Sequence, residues 1–441
     1  MKKYIKIFIA LILFAQISMA QENIYPAPEQ KGTFYITHAT IHVGNGQVIN
    51  DGTIKVTNGK IVSVGSSAAG TDGRVIEAGG KHVYPGLISS ITNVGLKEVG
   101  SGTRGSNDYD ELGEINPSIR AIVAYNTDSK VINALRTNGI LLANVVPQEE
   151  ESVSSTLLTG TSSVVQLDGW NWEDAAYKMD GIMHFNMPSL LNRPNRFAAF
   201  FGIQTPQVDP IKSALDKVDR VKMFFRQAKA YSTESTHANN NLKFAAVKDL
   251  FTKKQKLFVH CNAVKEMLLA IDFVTEFGFD VVIVGGSESW QIAELLKQNN
   301  IPVILQQSHS LPQTIDDDVD QPFKTPAILQ RAGVLFAMSD NDGTTRGRNL
   351  MFNAGTAASY GLSKEEALSA ITLNAAKILG IANTTGSLEA GKDANIIISN
   401  GDILDMKNSV VTNAFIKGRE ISLANKHTQL YERYKFKYGL R

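Results

Sequence analysis

The chain has 441 residues, with 44 Lys and Arg against 43 Asp and Glu, a formal net charge of +1. So even a balance leaves no electrostatic footprint for nucleic acid or for an anionic membrane surface. The single cysteine, Cys261, excludes an intramolecular disulfide. Stability therefore rests on a core, and a chain this long can bury one the size of a barrel with a satellite domain.

The first twenty residues read as a secretory leader. Lys2, Lys3 and Lys6 form a positive n-region, Ile5 to Ile17 is almost wholly apolar, and Ser18-Met19-Ala20 offers small residues at the cleavage positions. Cleavage before Gln21 is expected, which implies a periplasmic or secreted protein. A membrane anchor is the plainer alternative, but spanning takes about 20 apolar residues. No cysteine stands at the cleavage point to carry a lipid, and removing the three lysines takes the net charge to −2.

From Thr33 to Glu77 the pattern is β. Thr53 to Val56 and Lys60 to Val64 flank Asn58-Gly59, a two-residue hairpin signal because both turn positions favour positive φ. The C-terminal end returns to this idiom, with Asn395 to Ile398, Ala414 to Ile416 and Arg419 to Ile421 as short strands. Two β-rich ends around a long middle predict one β-sandwich closed by both termini.

The middle alternates strand and helix. Eight apolar runs read as strands: Val83 to Ile91, Gly139 to Val146, Ser163 to Leu167, Gly181 to Met187, Lys256 to His260, Asp280 to Val284, Pro302 to Gln306 and Gly333 to Ser339. Continuous apolar runs fit parallel strands buried on both faces. The count predicts an α/β fold, a (β/α)8 TIM-type barrel. The stretch from Pro210 to Lys254 is long for one crossover and is expected to hold extra helix.

Chemistry in such barrels gathers at the C-terminal ends of the strands. There the sequence places Asn93, Gln148 to Glu151, Asn186, His260, Gly285 and Gly286, His309 and Asp340. His260, His309 and Asp340 are able to ligate a metal, and two imidazoles with one carboxylate form a catalytic zinc set that leaves a position for water. The alternatives are a hydrogen-bonded rim histidine and a solvent-facing His309. Arg346 and Arg348 follow the last strand and suit a substrate carboxylate, or equally a structural ion pair. The acidic run Asp316, Asp317, Asp318 and Asp320 reads as a solvated loop rather than a calcium site. Trp170 and Trp172 read as packing.

His82-Val83-Tyr84-Pro85-Gly86-Leu87-Ile88 resembles the lead into the barrel in the amidohydrolase superfamily. Thr372-Leu373-Asn374-Ala375-Ala376-Lys377-Ile378-Leu379-Gly380 resembles its segment after the barrel, and Gly386 to Asn395 its return to the sandwich. The chain is most similar to imidazolonepropionase-like members, over about residues 33 to 423. The resemblance implies hydrolysis of carbon–nitrogen bonds in amides or cyclic amides, with Asp340 as catalytic base.

It also exposes departures. The family's first strand ends in His-x-His, where this chain has Ile91-Thr92-Asn93. The bridging residue of strand four has no counterpart in His184-Phe185-Asn186-Met187, and the strand-six histidine falls on Gly285. Two readings follow. One is a hydrolase with a rearranged single-metal site, one divalent ion, zinc, on His260, His309 and Asp340, with Asn93, Asn186, Arg346 and Arg348 around the substrate. The other is a catalytically inactive barrel that binds a ligand or partner.

The expected organisation is a leader (1–20), a linker (21–32), a composite sandwich (33–81 with 385–425), the barrel (82–384) and a tail (426–441). The expected partner is a small molecule, with self-association possible. Nucleic acid and stable membrane insertion after leader removal are not expected.

Overall fold

The computed structural model describes residues 25–66, 68–98, 107–109, 111–147, 156–190, 209–234, 236–237, 239–306, 308–340 and 346–440. The leader and the run Gln148 to Glu151 lie outside them.

Both chain ends build one eight-stranded sheet. Strands β1 (Thr33–His42), β2 (Val48–Thr57), β3 (Lys60–Gly65), β4 (Arg74–Glu77) and β5 (His82–Pro85) come from the N-terminal part. The spatial order is β3-β2-β1-β5-β14-β15-β16, with β4 also on β1. Here β14 is Ile396–Ser399, β15 Val411–Ile416 and β16 Arg419–Glu420. The β2–β3 hairpin turns at Asn58 and Gly59, at φ 48° and 77°, the geometry a tight hairpin demands. Phe34 stacks on Phe415 at 5.3 Å, within a separate small apolar core drawn from both ends.

The second eight-stranded sheet is the barrel. Its strands are β6 (Leu87–Thr92), β7 (Ile140–Val145), β8 (Leu158–Gln166), β9 (Ala176–Asn186), β10 (Lys256–Cys261), β11 (Val281–Gly285), β12 (Val303–Gln306) and β13 (Phe336–Ser339), neighbours in that order. Only Gly86 separates β5 from β6, so one apolar run feeds both sheets. The barrel nearly closes where Ser339 Oγ and the backbone of Ile91 exchange two 3.1 Å hydrogen bonds between β13 and β6.

The eight runs thus become eight strands, but not all parallel. Strand β8 pairs antiparallel with both β7 and β9. Residues 167–175, between β8 and β9, are too few for the crossover of about a dozen residues that a parallel pair needs. From β9 onward every pair is parallel.

The long crossover before β10 holds helix Pro210–Thr233 and a short helix, Leu242–Ala246. Asp209 starts the former by accepting from the Ile211 and Lys212 N–H groups at 2.9 and 3.3 Å, with Pro210 at the first turn where its missing N–H costs nothing. The tail forms helix Lys426–Lys437 and buries none of its residues. No described helix is long and apolar enough to cross a membrane.

Candidate active site at the barrel rim

One cavity of 460 Å³ lies between Tyr25, Tyr125, Arg136, Asp168 and Trp170. Within it Arg136 Nη1 pairs with Asp168 Oδ1 at 2.6 Å. Trp170, expected to pack, is 63 % exposed on its edge and lies 5.8 Å from Tyr25. Trp172 packs partly buried against the barrel core. Another cavity, 30 Å³, opens at the C-terminal rim beside Gly285, Gln306, Ser308 and Leu311. The C-terminal rim is where the sequence places its candidate site residues.

Asp340 directly follows β13 and is only 5 % exposed. Asn353, on helix Leu350–Ser359, donates to its Oδ2 at 3.4 Å. An anchored carboxylate at a strand's C-terminal end is placed for proton transfer.

His260, near the end of β10, is half-buried. Its Nε2 is 2.8 Å from Nδ1 of His184, and Nε2 of His184 is 2.7 Å from Ser162 Oγ. Desolvation is the main cause that pushes His260 down to about 4. Burial, then the neighbouring His260, holds His184 well below the ordinary histidine value. Both rings are therefore neutral near pH 7. The role of His184 was not foreseen. The period of two along β9 was the available signal, since it sets His184 on the same face as the rim residue Asn186.

The remaining candidates scatter. His309 is exposed and bonds Thr356 Oγ1 through Nε2 at 2.8 Å. Asn93 is buried, its Oδ1 without a hydrogen-bond partner. Asn186 Nδ2 donates to the Thr156 carbonyl at 3.2 Å. Arg346 and Arg348 are exposed around the turn Gly347–Asn349. Asp318 pairs with Lys324, and Asp317 accepts from Thr314 N–H at 3.2 Å. The acidic run is thus a self-satisfied surface loop.

The fold family implies a divalent metal here, and the described residues do not fit one. Among the described residues no three His, Cys, Asp or Glu come together in a way that holds a metal ion. His260, His309 and Asp340 therefore do not form the expected set. Nε2 of His260 is taken up by His184, and His309 is tied to the helix that follows β13. Gly285 has φ 100°, and a Cβ built there would lie 2.6 Å from Asn262 Oδ1. A glycine is required at that point, so no histidine occupies the strand-six position.

Comparison with known proteins agrees with this architecture. The model of the amidohydrolase family matches residues 216–421. An amidohydrolase structure from Thermotoga maritima superimposes with a TM-score of 0.76 at 24 % identity, covering 88 % of this chain and 99 % of that one. A molinate hydrolase structure gives 0.52 at 17 % identity, over 90 % and 96 %. The fold is thus that of amidohydrolases, and residues 216–421 match their family model. The chain is also similar to imidazolonepropionases. It is 23 % identical over 400 residues to the imidazolonepropionase of Thermoplasma volcanium, covering 88 % of this chain and 90 % of that protein. A stretch of 75 residues is 41 % identical to the imidazolonepropionase of Pseudomonas syringae pv. tomato, 16 % of this chain and 19 % of that one.

Proposed function

We propose that the protein hydrolyses a carbon–nitrogen bond in a small amide or cyclic amide, after export directed by residues 1–20. The observation that carries this reading is Asp340, a buried carboxylate fixed by Asn353 at the end of β13. The family and the likeness to imidazolonepropionases support the reaction class. In this reading Asp340 takes a proton from the attacking water as its oxygen adds to the carbonyl carbon. It then returns that proton to the nitrogen as the C–N bond breaks.

A ligand-binding barrel without catalysis is the second reading. It is favoured by the loss of donors at Ile91, Asn93 and Gly285 and by the blocked Nε2 of His260.

The two readings separate in a screen of N-acyl amino acids, lactams, hydantoins and cyclic imides with the mature protein and its Asp340→Asn variant. Hydrolysis by the wild type, reduced at least about 100-fold in the variant, supports the hydrolase. Binding without turnover, equal in both proteins, supports the binding barrel. Recovery of an exported chain starting at Gln21 would support the proposed compartment; an intact Met1 in the exported fraction would oppose it.

A further inference from the structure

The chain Ser162–His184–His260 joins three strands across the barrel interior, and it fixes which nitrogen of each ring carries the proton. Ser162 and His184 are fully buried. Among the described residues the hydroxyl of Ser162 has one hydrogen-bond partner, Nε2 of His184 at 2.7 Å. If His184 donated along this contact, the hydroxyl proton would be left buried with nothing to accept it, a cost of about 1–3 kcal/mol. The hydroxyl is therefore the donor and Nε2 of His184 the acceptor. A neutral imidazole carries one proton, so His184 holds its own on Nδ1. From there it donates to Nε2 of His260 at 2.8 Å. His260, neutral in turn, carries its proton on Nδ1, which has no partner among the described residues. The two nitrogens lie on opposite sides of the ring. With Nε2 turned inward to His184, Nδ1 faces away from the buried chain.

We propose that His260 is a hydrogen-bond donor through Nδ1 to the carbonyl oxygen of the substrate amide, its proton locked in place by the positioning residues Ser162 and His184. This deepens the hydrolase reading and rests on it for the identity of the oxygen. As water adds to the carbonyl carbon, negative charge gathers on that oxygen. A fixed N–H in a dry site stabilises such charge. The arrangement also explains why a histidine remains at the end of β10 when the other histidine positions are gone. His260 polarises the carbonyl, and its lone pair is spent on His184 rather than on a ligand.

The test reads the protons directly. In protein labelled with ¹⁵N-histidine, long-range ¹H–¹⁵N correlation spectra, assigned with a His260→Gln variant, are expected to show His260 protonated on Nδ1 and bare on Nε2. Ser162→Ala removes one oxygen and the lock. Its spectrum is expected to show the His260 proton shared between both nitrogens or moved to Nε2, and Ser162→Thr is expected to restore the wild-type pattern. For any amide the protein hydrolyses, Ser162→Ala is expected to lower kcat by about 10-fold and His260→Gln by about 10²-fold, with KM little changed. A wild-type His260 protonated on Nε2, or a Ser162→Ala spectrum identical to wild type, would overturn the proposal. An unchanged kcat in His260→Gln would also overturn it. If the spectra show the expected lock but no amide is hydrolysed, the tautomer lock stands and the hydrolase reading falls.

Discussion

Ser339 and Ile91 seal the barrel. One hydroxyl both donates to the Ile91 carbonyl and accepts from the Ile91 N–H, each at 3.1 Å, in a fully buried setting. Ile91 stands where the resemblance to amidohydrolases puts a metal-binding histidine, and Ser339 immediately precedes Asp340. Ser339→Ala would leave two backbone groups of Ile91 without this partner. The expected loss is about 1–3 kcal/mol, read as a lower urea midpoint with an unchanged slope.

Asp168 gathers three distant parts of the chain. It pairs with Arg136 at 2.6 Å, accepts from the Ala27 N–H at 3.0 Å, and offers its backbone carbonyl to Arg419 at 3.0 Å. Burial is the largest influence on both charged groups, raising the Asp168 carboxyl and lowering the Arg136 guanidinium. Asp168→Asn leaves a buried cation short of its counter-charge and is expected to cost about 3–5 kcal/mol. The double variant Asp168→Leu with Arg136→Met is expected to lose less than the single. Equilibrium unfolding of the three proteins checks the order.

Acid is expected to weaken the fold through the histidine chain. The folded-state values of His184 and His260 lie below the ordinary 6.5, His260 at about 4. The unfolded chain therefore binds more protons across that interval, and stability falls as pH falls. The contribution is intact above about pH 6.5 and declines from there to about pH 4. A His184→Asn variant is expected to show a shallower decline in the same urea titrations. Equal slopes would remove His184 from the account.

Restoring the strand-six histidine is expected to fail. Gly285→His would force a side chain into a left-handed backbone position and against Asn262 Oδ1, 2.6 Å from the added Cβ. A loss of about 1–3 kcal/mol follows from the strain, with no gain in zinc affinity by calorimetry.

The β-rich ends and the eight strand positions were legible because parallel buried strands write continuous apolar runs, and Asn58-Gly59 names its own turn. The reversal of β8 was not, since a run such as Ser163 to Leu167 looks alike in either direction. The link before β9 is short only because β9 begins at Ala176, ahead of the apolar run that starts at Gly181. At the site, Asp340 was legible from its place after an apolar run. His184 was passed over as a failed match to a family position, because its importance lies in a neighbour 76 residues away. His309 was over-read: proximity to a strand end does not say which way a loop turns, and this one takes it to Thr356.

The central claim is that the rim hydrolyses amides with Asp340 and a locked His260 rather than with the family's metal set. Its most direct test is the rate of amide hydrolysis by the mature protein after exhaustive chelation, with and without zinc added back. The account predicts full activity after chelation and no gain from zinc. Loss of activity on chelation, with recovery at one zinc per chain, would contradict it.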